Sequence, residues 1–116
     1  MSRITLYQKP TCTTCRKVYA ALKDSGVDFE SVNYYINPIP KTKIKSLLSK
    51  MKMLATEILR KGEEVYKELG LAKRKISQEE AVDLMAKYPD LIQRPILEKG
   101  NKAVLARPAE RLREIL

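Results

Sequence analysis

The sequence of 116 residues contains no histidine and no tryptophan, and it has only one phenylalanine. Without histidine, the catalytic dyads and triads that use an imidazole base are excluded, and so are metal sites built on histidine. An activated nucleophile in this chain would have to rely on backbone dipoles and on arginine or lysine. The shortage of large aromatic rings also argues against the stacking platforms that bind single-stranded nucleic acid.

Long apolar runs are missing as well. No stretch approaches the roughly 20 residues that a membrane-spanning helix needs. The first residues lead directly into a strand pattern, without the apolar core of a signal peptide. We therefore expect a cytoplasmic protein with no membrane partner. Hydrophobic residues make up 44% of the chain, which suits a single domain over residues 1–116.

Acidic residues are fewer than basic ones. The chain has 23 lysines and arginines against 14 aspartates and glutamates, which gives a formal net charge of +9. This excess favours an anionic partner or substrate. The basic residues are dispersed, with local concentrations at 41–45, 50–52 and 73–75. Solvated helix faces and loops are the simpler interpretation of these clusters.

Both cysteines of the chain lie in one motif, Cys12-x-x-Cys15. The motif follows residues 3–7, whose alternating pattern is typical of a strand, and it precedes residues with helical spacing. A sulfur at such a junction faces the free N–H groups and the positive dipole end of the helix, which favour thiolate over thiol. Cys12 is therefore the candidate nucleophile. Cys15, one helical turn later, lies close enough to act as a resolving thiol.

Two other interpretations of the cysteines stay open. One is that both are buried and unreactive, although a CxxC between a strand and a helix is the context that redox chemistry requires. The other is a zinc site. A structural zinc takes about four Cys or His ligands, so carboxylates or a second chain would have to complete it. In a reducing compartment a lone CxxC is more often catalytic or redox-sensing, and we expect no bound metal.

The first third of the chain predicts a βαβ unit. Helical spacing after the motif indicates a helix over about residues 13–25, which Gly26 closes. A second strand is expected over residues 27–35, where apolar and polar residues again alternate. A strand, a helix and a strand in this short a segment make the two strands parallel.

The rest of the chain predicts helices and then a hairpin. Residues from about 40 to 90 give only helical patterns, including a short helix that ends at Arg60 and a longer one opened by a capping box from Ser77 to Glu80. Two strand-like runs on either side of residues 99–101 predict a hairpin, and a last helix follows Pro108. The chain is therefore expected to be an α/β protein with a thioredoxin-like fold. A helical insertion separates its N-terminal βαβ unit from its C-terminal ββα unit.

These motifs resemble the arsenate reductase/Spx family of thioredoxin-fold proteins over essentially the whole chain. The segments that carry the resemblance are KPTCTTCRK at 9–17, ILRK at 58–61, YPDLIQRPI at 88–96 and ARPAE at 106–110. A lone CxxC is a weak signal, but an Arg-Pro before the hairpin and a second one after it make the match specific. In the glutaredoxin-coupled arsenate reductases, the resemblance implies, a cysteine at the position of Cys12 attacks arsenate.

The resemblance also implies that Arg60, Arg94 and Arg107 surround the oxyanion. Guanidinium groups suit this role because they bind oxyanions through paired, charge-assisted hydrogen bonds and stabilise a nearby thiolate. Three unrelated surface arginines are the alternative. Pro95 matches the family's cis-proline opposite the nucleophile, and an X–Pro bond adopts cis at modest cost. Electrons would come from glutathione with glutaredoxin, or from thioredoxin if Cys15 closes an internal disulfide.

The sequence departs from the reductase pattern in two places. The single-cysteine arsenate reductases have no cysteine where Cys15 stands, and CxxC followed by Arg-Lys looks more like the Spx branch, whose members bind RNA polymerase and sense disulfide stress. Arg107, however, follows the reductase pattern. Gln8 stands where some reductases carry a histidine near the thiol. We therefore expect an arsenate reductase-like oxidoreductase. The alternatives are an Spx-like redox-sensing regulator that binds the RNA polymerase alpha subunit, and a reductase for another thiol adduct.

Overall fold

A computed structural model describes residues 3–116 of the chain. The chain divides into two compact units. One is formed by the residues up to Asn37 together with Arg94–Leu116, and the other by Pro38–Gln93. The second unit falls close to the helical insertion expected at about residues 40–90. That the whole chain behaves as one domain stays a prediction.

The first unit is built on a four-stranded sheet with the strand order β2-β1-β3-β4. Its strands are β1 (Ile4–Gln8), β2 (Phe29–Asn33), β3 (Ile96–Lys99) and β4 (Lys102–Leu105). β1 pairs in parallel with β2, and β3 is antiparallel to both β1 and β4. The predicted βαβ unit and hairpin are therefore both confirmed.

Helix α1 (Thr13–Ser25) packs on one face of this sheet, together with a 3-10 helix over Ala109–Glu114. The core between them consists of Ile4, Leu6, Val18, Leu22, Leu97, Val104, Ala106, Leu112 and Ile115. Two fully buried residues of α1, Val18 and Leu22, lie one turn apart, as an amphipathic helix requires. α1 ends where Gly26 takes a left-handed conformation with a φ of 76°, and its N–H bonds to the Lys23 carbonyl.

The order of elements and the sheet topology show that the unit has a thioredoxin-like fold, as predicted. The last helix is a 3-10 helix of six residues instead of an α-helix. β2 is shorter than the predicted strand, because Tyr34 and Tyr35 lie in a turn that follows Asn33. This turn becomes important at the candidate site.

The second unit consists of helices. They are α2 (Lys41–Met51), α3 (Ala55–Ile58), α4 (Glu64–Glu68) and α5 (Gln78–Lys87), with 3-10 turns at Leu71–Lys73 and Pro89–Leu91. α5 packs against α2 and α3, and buried apolar side chains such as Ile58 and Met85 form the core of the unit. The Ser77 Oγ accepts a hydrogen bond of 3.1 Å from the Glu80 N–H, as the predicted cap requires.

The predicted helix that ends at Arg60 is two residues too long. α3 ends at Ile58, and Leu59 is extended and forms an isolated antiparallel bridge with Ile92. The Arg60 N–H donates to the Leu91 carbonyl at 2.8 Å. These partners, distant in sequence, take backbone groups that a longer helix would use, so tertiary pairing overrides local propensity. Because of this bridge, the middle of the chain is not purely helical.

Within residues 3–116, no helix has the length and the apolar character needed to cross a membrane.

Candidate active site at the start of helix α1

Cys12 is the N-cap residue of α1. Its φ and ψ of −79° and 128° are extended, and its N–H bonds to the Lys9 carbonyl at 2.9 Å, which closes the loop after β1. The Cys12 Sγ accepts from the Cys15 backbone N–H at 3.5 Å. The Cys12 sulfur therefore occupies the place where a capping oxygen usually satisfies a free N–H group of the first turn.

The surroundings of Cys12 favour its thiolate. Burial alone would raise the pKa of Cys12, but the N–H and the thiol of Cys15 and the Arg94 guanidinium together lower it from 9.0 to about 7. A hydrogen bond to the charged form and a nearby positive charge both stabilise an anion. Cys12 is half-buried, in contrast to the buried Cys15. It is a free thiol that is substantially ionised at neutral pH.

Cys15 has the opposite character. It is fully buried, and burial together with the adjacent negative charge of Cys12 raises its pKa to about 12, although the Lys9 backbone N–H opposes the shift. Cys15 therefore keeps its proton at neutral pH and donates it in a hydrogen bond to the Cys12 sulfur. The two cysteines of the motif therefore form one thiolate and one thiol at neutral pH.

Arg94 lies two residues before the first residue of β3 and is buried, with only 6% of its surface exposed. Burial lowers the pKa of Arg94, but Tyr34, Tyr35 and the Cys12 sulfur raise it more, so the guanidinium stays charged. The peptide bond from Arg94 to Pro95 is cis. The Arg94 side chain also bonds to the Cys12 sulfur, so two residues that are far apart in sequence meet here.

Arg107 follows β4 and lies opposite Arg94. Continuing the β3–β4 register beyond Ile96 and Leu105 pairs Arg94 with Arg107. The Arg107 Nη1 donates to the Arg94 carbonyl oxygen at 3.0 Å. The Arg107–Pro108 bond is also cis. The two Arg-Pro segments that flank the hairpin are thus held side by side.

Arg60 belongs to the helical unit. Its Nε donates to the Glu63 Oε1 at 2.9 Å, and both side chains are about a quarter exposed. This ion pair joins residues three apart in sequence. The expected role of Arg60 at the oxyanion stays a prediction.

Tyr34 and Tyr35 also lie at the site, although the sequence pattern did not predict them there. The Asn33 Oδ1 accepts from the Tyr35 N–H at 3.0 Å, a turn that asparagine often makes at the end of a strand. The two rings lie 5.1 Å apart between centroids, and the Lys9 ammonium lies 4.8 Å from the centre of the Tyr35 ring. The asparagine within the predicted strand was the available signal that the strand stops there.

Gln8 has a structural partner. The Gln8 Nε2 donates to the Ser31 Oγ on the neighbouring strand. No cluster of three or more His, Cys, Asp or Glu side chains that could hold a metal ion occurs in the part of the chain that the structure describes.

The chain is similar to known proteins over most of its length. The family model described as ArsC family matches residues 7–115. An arsenate reductase of Escherichia coli K12 is 35% identical over 116 residues, which is 100% of this chain and 82% of that protein. A solved structure, the arsenate reductase from Vibrio cholerae, superposes with a TM-score of 0.92 at 29% identity and covers 99% of this chain and 98% of its own.

The global transcriptional regulator Spx of Streptococcus pyogenes serotype M1 is 29% identical over 113 residues, which is 97% of this chain and 84% of Spx. Both branches named by the sequence resemblance are therefore found among the relatives. The family match, the similarity over the full chain and the shared architecture lead to one conclusion: the chain belongs to the ArsC family and is an arsenate reductase-like oxidoreductase.

Proposed function

We propose that this protein reduces arsenate with thiol electrons, with Cys12 as the nucleophile and arginines as the oxyanion site. The observation that carries the proposal is the pairing of a half-buried Cys12 sulfur, whose pKa is about 7, with the charged Arg94 guanidinium. A thiolate and a fixed cation in contact are what attack on a multiply charged anion requires. The cation offsets the repulsion between thiolate and substrate.

The chemistry needs two steps. In the first, the Cys12 thiolate attacks arsenic. A sulfur–arsenic bond forms, an arsenic–oxygen bond breaks, and the oxygen leaves as water after taking up protons from solvent. In the second, another thiolate attacks the Cys12 sulfur, and the electron pair of the sulfur–arsenic bond stays with arsenic. Two thiols are oxidised to one disulfide, and arsenic(V) is reduced to arsenic(III) and leaves as arsenite.

The arginines bind the oxygens of arsenate in this proposal. Arg94 is fixed by burial, and Arg107 is fixed by its bond to the Arg94 carbonyl. Each planar guanidinium offers paired donors that match two oxygens of a tetrahedral oxyanion, which a lysine ammonium does not. Arg60 would supply a third guanidinium to the same anion.

The second thiol could be Cys15 or an external one, and the structure supplies an argument on each side. Cys15 hydrogen-bonds to the Cys12 sulfur, so an internal disulfide needs little movement. Against it, burial raises the pKa of Cys15, and an attacking thiol must be ionised. Part of that rise comes from the charge on Cys12, which is cancelled once Cys12 is bonded to arsenic. We propose glutathione with glutaredoxin, or thioredoxin after an internal disulfide, as the electron source.

The test is arsenate-dependent oxidation of NADPH, measured separately with the glutathione/glutaredoxin and the thioredoxin coupling systems. We expect turnover in at least one system with the wild type and none with Cys12→Ser. No arsenate-dependent oxidation in either system would refute the proposal. Cys15→Ser assigns the second thiol, because it abolishes activity if Cys15 resolves the adduct and leaves activity nearly unchanged if glutathione attacks first.

A second candidate function is an Spx-like regulator that binds the RNA polymerase alpha subunit. The CxxC motif, with its buried second thiol, and the similarity to Spx favour it. The discriminating experiment incubates the reduced and the oxidised protein with the C-terminal domain of the alpha subunit. A complex that depends on the redox state, without arsenate turnover, would support the regulator. For both candidates we propose the cytoplasm as the compartment, because free thiols are maintained there.

A further inference from the structure

The turn after β2 places two tyrosines beside the candidate site. β2 runs parallel to β1, so the chain leaves both strands at the same edge of the sheet, where the loop to Cys12 also begins. The Asn33 carbonyl accepts from the N–H groups of Ile36 and Asn37 at 3.1 and 2.9 Å. The turn that contains Tyr34 is therefore closed by its own backbone hydrogen bonds.

Tyr34 is among the most deeply buried side chains of the first unit, with 1% of its surface exposed. A buried phenol requires a hydrogen-bond partner. The Tyr34 hydroxyl bonds to the Arg94 side chain, which also bonds to the Cys12 sulfur. The Arg94 side chain is therefore bonded both to a phenol oxygen and to a sulfur.

We propose that Tyr34 is a positioning residue whose buried hydroxyl accepts a hydrogen bond from Arg94 and fixes the guanidinium against the Cys12 sulfur. Arginine has a long, flexible side chain, and its charge is useful at the sulfur only in a few of its rotamers. In this proposal the hydroxyl acts on the sulfur through Arg94. The expected effect of Tyr34 on thiolate formation does not depend on the proposed function, whereas the expected effect on arsenate turnover rests on it.

The test removes only the hydroxyl, with Tyr34→Phe. We expect the pH midpoint of Cys12 alkylation to rise by about half a unit or more, because the guanidinium is no longer held at the sulfur. Arsenate turnover should fall roughly tenfold, as expected when a substrate-positioning group is displaced. The matched control is Tyr66→Phe. Tyr66 is a similarly buried tyrosine, 8% exposed, in the helical unit, and we expect no change in the alkylation midpoint.

A double-mutant comparison separates positioning from a general packing effect. In an Arg94→Met background, which keeps the bulk but removes the charge, Tyr34→Phe should not shift the midpoint further. An equal shift with and without Arg94 would overturn the inference, and so would an unchanged midpoint in Tyr34→Phe. The alkylation assay contains no arsenate. Failure of arsenate reduction in the wild type would therefore count against the proposed function alone.

One further measurement needs no variant and covers the case in which Tyr34→Phe does not fold. With 15N-labelled arginine, a guanidinium held by hydrogen bonds rotates slowly about its Nε–Cζ bond and gives separate Nη resonances. We expect separate Nη resonances for Arg94 in the wild-type protein. A single averaged resonance would contradict the positioning role.

Discussion

The reactivity of Cys12 is the sharpest quantitative expectation from the structure. With its pKa lowered from 9.0 to about 7, roughly half of Cys12 is thiolate at neutral pH, compared with about 1% for a thiol with the ordinary pKa. The lower pKa alone therefore makes the thiolate fraction at neutral pH about 50-fold larger. A thiolate of lower pKa is intrinsically a weaker nucleophile, and over two units this costs about eightfold. The net expected advantage at neutral pH is therefore roughly sixfold.

The assay is the rate of alkylation by iodoacetamide from about pH 5 to about pH 10, with intact-mass spectrometry to count the labels. The rate should rise with a midpoint near pH 7, and at neutral pH only one label should be added, because Cys15 is buried and its pKa is about 12. Cys15→Ser keeps a hydrogen-bond donor to the Cys12 sulfur and should leave the pH midpoint of Cys12 alkylation unchanged. Cys15→Ala removes the donor and should raise it.

A midpoint near 9 in the reduced wild type would refute this reasoning, since it would mean that the N–H groups and Arg94 do not outweigh burial. Equal midpoints in Cys15→Ser and Cys15→Ala would remove only the Cys15 thiol from the explanation. The comparison therefore separates the contribution of the side-chain donor from that of the helix backbone.

Three further expectations follow from the same structure. Arg107→Lys removes the guanidinium that bonds to the Arg94 carbonyl and should lower arsenate turnover about tenfold or more without a comparable loss of thermal stability. Arg111→Lys, on the surface, should leave arsenate turnover unchanged. Equal turnover in both variants would contradict a role of Arg107 at the site. Because folding lowers the pKa of Cys12 to about 7, its stabilising contribution is fully present above pH 9 and is lost as the pH falls through 7. Urea titrations under reducing conditions should therefore show the stability difference between the wild type and Cys12→Ser growing from pH 7 to pH 9; a constant difference would rule this out. Leu97→Ala, at a fully buried core position, should lower the free energy of unfolding by about 2–5 kcal/mol. A loss below about 1 kcal/mol would show instead that neighbouring side chains fill the cavity left by the leucine.

Local sequence signals were sufficient to predict most of the secondary structure of the first unit. The periodicity of α1 and the glycine at its end agree with each other, so the expected range of residues 13–25 is the one observed. Cys12 could be singled out because its reactivity depends on a helix start, which short-range pattern reveals. The fold order followed from the same local patterns because each strand and helix is marked by its own periodicity.

Long-range pairing was what the sequence could not reveal. The helix expected to end at Arg60 stops earlier because Leu59 pairs with Ile92, 33 residues later in the chain, and no local pattern announces such a bridge. Tyr34 was assigned to a strand because alternation continued past Asn33. Its place at the site depends on Arg94, which reaches it from the other end of the chain.

The register of the β3–β4 hairpin restricts how the length of this protein can vary. Arg94 and Arg107 lie opposite each other because equal numbers of residues separate each of them from the turn at Gly100 and Asn101. One residue inserted into a single strand would shift the pairing and turn every later side chain to the opposite face. Residues added equally to both strands, or to the turn itself, would leave the arginines opposed. Sequences that keep this pair are therefore expected to tolerate length changes in the turn and to reject single insertions on either side of it.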